Sequence, residues 1–268
     1  MKSQKTIFPA VIRAIGTSFL LMFSIVALAA DNIKIGMTAA LSGPSAALGK
    51  EMQAGIASYF HYINNQGGVG GRQLEFIVKD DGYEPEQAGA NMRSLIEDDK
   101  VVAVIGNVGT PTAVVTVPIA NMYKTVLFGA FSGGDILRMS PPSRYIINYR
   151  SSYAEETAEM IGGLLHSGVK PDQLAFFTQR DSYGDSGFRG AKTALEQYGF
   201  MDVERLAHGR YTRNTANVED AVATILDCPT EPKAIIMAGS SVASAKFIKL
   251  LQQELPDVLF LSLSFVDS

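Results

Sequence analysis

Short apolar runs alternate along this chain with longer segments whose apolar residues return every three or four positions. Residues 32–37 (NIKIGM) alternate and predict a first strand. A long helix follows from Ser45, with Ala54, Ile56, Ala57, Phe60 and Ile63 on its apolar face. Residues 73–79 (QLEFIVK) predict the second strand, and residues 85–98 a helix carrying Ala88, Met92, Leu95 and Ile96 on one side. Residues 101–134 organise the rest, reading as strand, loop, helix, strand, loop. Residues 101–105 suit a buried parallel strand; Thr110 is the expected N-cap of a helix with Pro111 at its first position. Residues 126–130 predict a strand ending in Ser132, Gly133 and Gly134. Residues 144–149 are another strand, and Arg150, Ser151 and Ser152 mark a crossing.

The pattern then starts again. Helices are expected over 154–167, from Tyr183 to about Tyr198, over 217–226 and over 243–254. Strands are expected over 173–178, within 201–208, over 234–238 and over 258–263. Strands alternating with helices imply parallel sheets covered on both faces. The expected fold is α/β, with two parallel-sheet lobes: residues 30–150 and residues 151–268.

Strand ends that break into Gly, Ser and Thr loops are where open α/β sheets bind ligands. Free N–H groups at the helix start near Thr110 favour an anion such as a carboxylate. Gly109 and Gly133 would let a ligand approach the backbone closely. Matching loops close the second half: residues 180–184, residues 239–241, and Ser264 with Phe265. Tyr183 offers a flat apolar face and a polar tip to a carbon chain lying between the two sets.

Several motifs carry less. The glycine run 67–71 follows a helix and precedes a strand, the wrong order for a dinucleotide fingerprint, and reads as a helix stop. Asp80 and Asp81 have no histidine or third carboxylate near them in sequence, so a polar strand end is the simpler reading than a metal site. His61, His166 and His208 are scattered, and no Gly-x-Ser-x-Gly, Walker or HExxH motif accompanies them. No catalytic residue, metal or cofactor is predicted.

Residues 1–29 form a separate unit. Lys2, Lys5 and Arg13 precede an apolar run over 14–28, and Ala27 and Ala29 give the small-x-small pattern of a cleavage site. This is the layout of a secretory signal, with no membrane span expected after its removal. No cysteine stands at the cleavage point, so no lipid attachment is expected there. Cleavage after Ala29 leaves 20 basic and 27 acidic residues, a formal charge of −7 in place of −4. An acidic exported protein is a poor candidate for nucleic acid. The single cysteine, Cys228, makes no internal disulfide and is expected as a buried thiol.

The sequence resembles the Leu/Ile/Val-binding family of type I periplasmic substrate-binding proteins. The resemblance is carried by IKIGMTAALSGPSAALG, NNQGGVGGRQLEFIVKDD, VIGNVGTPTA and DSYGDSGF, in the family's order, from about Ile33 to the end. It implies a hinged, two-lobed periplasmic receptor that closes on an amino acid or similar small carboxylate and delivers it to an ABC permease. By position, Thr110, Ser132 and the backbone of Ala130 would hold the carboxylate, with Tyr183 covering the ligand. Ser241 and Ser264 would lie at the remaining contacts, and Leu48 in the side-chain wall. No acid near Ser264 is available in sequence to hold an ammonium except Asp267, which is out of register; a keto acid or aromatic acid is therefore also credible. Family members are longer, and the return of the chain to the first lobe is missing here. That absence predicts exposed apolar surface on the first lobe and a compromised fold unless another chain supplies the rest. The competing expectations are the ligand-binding module of a periplasmic sensor and a non-functional truncated fragment.

Overall fold

The computed structural model describes residues 31–266; the expected leader and Asp267 lie outside them. The first sheet is built from β1 (Ile33–Ala39), β2 (Leu74–Asp80), β3 (Ala103–Ile105), β4 (Val126–Phe128) and β5 (Ile146–Ile147). All its pairs are parallel, in the order β2-β1-β3-β4-β5. The second is built from β6 (Leu174–Gln179), β7 (His208–Tyr211), β8 (Ala234–Ala238) and β9 (Leu259–Ser262). It is also parallel, in the order β7-β6-β8-β9. The α/β class with two parallel sheets is therefore as expected.

Parallel neighbours need crossovers, and helices supply them. These are α1 (Ala46–Asn65), α2 (Pro85–Glu97), α3 (Thr110–Tyr123), α4 (Tyr153–His166), α5 (Ser182–Gln197), α6 (Glu219–Leu226) and α7 (Ser241–Leu251). The second sheet is covered on both faces, and its pleat shows it. Leu174, Phe176, Ala234 and Ile236 enter the core under α4 and α5, while Ala175, Phe177, Ile235 and Met237 enter the core under α6 and α7. In the first sheet Val104 and Leu127 pack with Ala113, Val117, Met92 and Leu95 of α3 and α2. The side chains that alternate with these point the other way. There Phe128 and Ile147 are more than 40% exposed, and the Phe128 ring lies 6.5 Å from exposed Tyr149.

Several expected boundaries shift. The strand placed within 201–208 begins only at His208; residues Val203–Arg205 form a 3-10 turn. At Gly209, inside that strand, α6 comes so close that a Cβ would lie 2.7 Å from the Ala221 carbonyl oxygen. Residues 126–130 keep only three strand residues, and residues 144–149 only two. Thr110 is the first residue of α3 and not its N-cap. The cap is Gly109, whose φ of 101° a residue with a Cβ adopts only under strain.

The topology places a crevice in each sheet. The chain leaves β1 toward β2 on one side and returns to β3 on the other; β6, β7 and β8 repeat this. Loops after β1 and β3, and after β6 and β8, therefore diverge at the carboxyl ends of the strands, where open sheets take ligands. The crossing that joins the sheets is fixed at its end by a capping box, Ser152 Oγ accepting from Glu155 N and Glu155 from Ser152 N. Arg138 donates to the carbonyls of Arg150 and Ser151 at 2.5 and 3.0 Å. The two halves also touch directly. Arg213 of the second half reaches Glu84 of the first at 2.7 Å and Asp181 of its own at 3.0 Å, and Asn214 donates to the Gly82 carbonyl at 2.9 Å.

Candidate functional site

The loop after β1 is shaped by a carboxylate. Asp80 Oδ1 accepts from the N–H groups of Leu41, Ser42 and Gly82 at 2.8, 3.2 and 2.9 Å. Burial pushes this carboxyl up, but the Ser42 hydroxyl and the three N–H groups outweigh it and hold it below the usual carboxylate range. The loop leads into Pro44, Ser45, Ala47 and Leu48 at the start of α1. Across from them stand Ser240, Ser241 and Val242 at the start of α7. The two helix starts face one another over a cavity of about 220 Å³, with Phe265 as its remaining wall. Leu48 and Ser241 thus both line this cavity.

Behind that cavity the two halves meet through aromatic rings. Phe265 is 3% exposed, and its ring lies 4.7 Å from Tyr183, 5.7 Å from Phe131 and 6.0 Å from Tyr83. Tyr153 lies 5.2 Å from Tyr183. The Arg150 guanidinium covers the Phe131 ring at 3.8 Å. These rings also correct the reading of the loop glycines. A Cβ on Gly109 would lie 2.1 Å from the Tyr83 ring, and one on Gly133 would lie 2.5 Å from the Tyr153 ring. The close approach these glycines permit is taken by tyrosines of the chain itself, and not left open to a ligand.

Thr110 and Ser132 are brought together. Both are buried, and their hydroxyls are 2.7 Å apart. Ser132 Oγ also accepts from Gly134 N at 2.9 Å, and Ser132 N donates to the carbonyl of buried Ala130 at 2.9 Å. Tyr183, in the first turn of α5, is fully buried, and its hydroxyl donates to the Gly239 carbonyl at 3.4 Å. Ser264 stands apart: it is exposed, with its hydroxyl 2.6 Å from Arg150 and 2.7 Å from Glu156. Glu156 also accepts from Ser264 N at 2.7 Å. An acid therefore does meet Ser264, contrary to the expectation from the sequence; it comes from α4, 108 positions earlier, where no local pattern marks it. Tyr83, Phe131 and Tyr153 were missed for the same reason: their sequence signal is only an aromatic residue next to a turn.

The remaining titratable groups have structural partners. His208 is held neutral, its pKa lowered to about 4 by burial with Arg210 adding to the effect, and its Nε2 is 2.7 Å from Thr178 Oγ1. It opens β7, at the opposite end of that strand from the ligand-side loops. Cys228 is a half-buried free thiol 2.9 Å from the Thr230 carbonyl oxygen. Among the described residues no three His, Cys, Asp or Glu side chains group to hold a metal ion, and no helix is long and apolar enough to cross a membrane.

Known proteins share this fold. The model of the periplasmic binding protein family matches residues 32–267. An amino acid binding protein of Pseudomonas aeruginosa is 24% identical over 200 residues, covering 74% of this chain and 52% of that protein. Leu/Ile/Val-binding protein homolog 7 of Brucella abortus is 26% identical over 204 residues, covering 72% of this chain and 49% of its own length. The crystal structure of a possible leucine/isoleucine/valine-binding protein from Rhodopirellula baltica superposes with a TM-score of 0.85 at 44% identity, over 90% of this chain and 64% of that one. The chain thus spans about half the length of these two curated relatives.

Proposed function

The chain belongs to the periplasmic binding protein family, among members named Leu/Ile/Val-binding proteins, and on that footing we propose that it captures an amino acid or similar small carboxylate for an ABC permease. The lobes of this reading are residues 30–150 and 151–268, hinged at Arg150–Ser152, working in the periplasm once the leader is removed. The observation that carries it is the Thr110–Ser132 hydroxyl pair, buried beside the start of α3 at the ligand-side end of the sheet. Each hydroxyl now serves the other. A carboxylate would accept from both while the helix N-terminus favours its charge. The ligand's tail would run toward Leu48, Ser241 and Phe265, with Tyr183 over it and Ser264 at the rim. Closure of the lobes would be the selection of a state in which the ligand touches both.

A thermal-shift panel of L-leucine, 4-methyl-2-oxopentanoate and benzoate tests this on the purified protein, since a ligand that binds only the folded state raises the melting temperature. Thr110→Ala is expected to weaken binding of the shifting carboxylate about tenfold or more, the worth of a hydrogen bond to a charged group, while the ligand-free protein still folds and melts lower only by the loss of its buried bond to Ser132. Equal affinity in the variant and the wild type would remove Thr110 from the site.

A further inference from the structure

We propose that the Tyr153 hydroxyl is the third donor to the ligand carboxylate, beside Thr110 and Ser132, and that it ties the bound anion to the segment joining the two sheets. The inference rests on the cleft reading above and adds a residue to it. Tyr153 is 0% exposed, yet its hydroxyl has no hydrogen-bond partner. A buried hydroxyl left unmatched costs folding free energy and calls for a reason.

Its surroundings supply one. The hydroxyls of Ser132 and Thr110 and the backbone of Gly133 lie close enough to draw the phenol's pKa down, against the burial that raises it. One hydrogen joins those two hydroxyls, and Ser132 Oγ also accepts from Gly134 N, yet neither reaches the Tyr153 hydroxyl with hydrogen-bonding geometry. Three hydroxyls from three separate segments, after β3, after β4 and at the start of α4, therefore converge with the third unmatched. Nearby charge suits an anion. Arg150 acts on the phenol as a cation, and its own Nε is buried without a partner. Glu156 is engaged with Ser264 N and Oγ, and Asp181 with Arg213, Gln179 and Tyr183 N. The ring is held in place by the Gly133 backbone behind it and by the bond from Tyr153 N to the Gly133 carbonyl at 2.9 Å. Because Tyr153 begins α4 directly after the crossing, an anion held by Thr110, Ser132 and Tyr153 would grip both halves at once.

Tyr153→Phe tests this, because it deletes one oxygen and keeps the ring. The probes are L-leucine and benzoate, each compared with its amide, leucinamide and benzamide. Without ligand the variant is expected to melt no lower than the wild type. With the carboxylate that shifts the wild type, its affinity is expected to fall about tenfold, and its preference for carboxylate over amide to shrink with it. A lower ligand-free melt would show that the hydroxyl makes a structural bond and would overturn the proposal. Wild-type affinity in Tyr153→Phe alongside weakened Thr110→Ala would overturn the role of Tyr153 and leave the cleft standing. No shift by either carboxylate, or unchanged affinity in both variants, would overturn the cleft reading and this proposal with it.

Discussion

Phe177→Ala is expected to lower the unfolding free energy by about 3–5 kcal/mol, the cost of deleting a buried aromatic ring whose cavity collapses only in part. Phe177 is 0% exposed in the middle of β6. Its ring stacks on Tyr211 on one side and on Phe247 on the other, with centroids 5.1 and 4.0 Å away. The ring also supports the site. Tyr211 accepts from Ser240 N at 2.7 Å and donates to Gln179 Oε1 at 2.9 Å, so the aromatic stack holds the start of α7, one wall of the cavity. Urea unfolding followed by circular dichroism is the measurement, with the midpoint falling and the slope unchanged. Phe177→Leu, closer in volume, is expected to lose less than about half as much. A loss under about 1 kcal/mol for the alanine variant would mean that Tyr211 and Phe247 close over the gap, and the stack would then not be what holds Ser240.

The fold was legible because its signals are local. Residues 174–177 and 234–238 are continuous apolar runs, and a strand buried on both faces leaves no other pattern. Where short strands carried mixed residues, as at 201–208, no apolar run marked where the strand begins, and it starts only at His208. The same division holds in the site. Thr110 and Ser132 stood out because each follows a strand in a Gly/Ser/Thr loop, and the structure brings their hydroxyls together. Tyr153, Tyr83 and Glu156 did not stand out, because each gains its role only from a partner dozens of residues away. Gly133 shows the limit well: the need for a glycine was readable, but the group that fills the space, the Tyr153 ring, was not.

Asp81 is expected to make stability fall as pH rises from about 4 to about 6. Its carboxyl is 2% exposed at the end of β2, accepting from Thr38 Oγ1 at 2.8 Å and from Tyr83 N at 2.9 Å. Burial pushes its pKa up to about 6 from an ordinary 3.8; the two hydrogen bonds oppose this, and Asp80 and Glu84 add to it. Below pH 3.8 the carboxyl is protonated in the folded and the unfolded chain alike, and its stabilising contribution is complete. Above that the unfolded chain releases its proton first, so folding must hold a proton that water no longer supplies freely. The contribution is gone once the pH passes about 6, and two pKa units set the loss at roughly 3 kcal/mol. His208, whose pKa is lowered to about 4, acts in the opposite sense over the same range, and Asp80 and Glu155, whose pKa values are also lowered, do so at lower pH, so the wild-type curve alone mixes these effects. Asp81→Asn separates them. The amide cannot titrate, and any hydrogen bond it mends or breaks shifts the curve equally at every pH. Between pH 4 and 7.5 the variant is expected to gain roughly 3 kcal/mol on the wild type by urea unfolding. The residues that follow, Gly82, Tyr83 and Glu84, are those that meet Gln179, Arg213 and Asn214 of the second half, so the buried proton lies at the base of the contact between the halves. Parallel wild-type and variant curves across that range would show that Asp81 ionises in the folded chain as it does in the unfolded one, with water reaching it behind Tyr83.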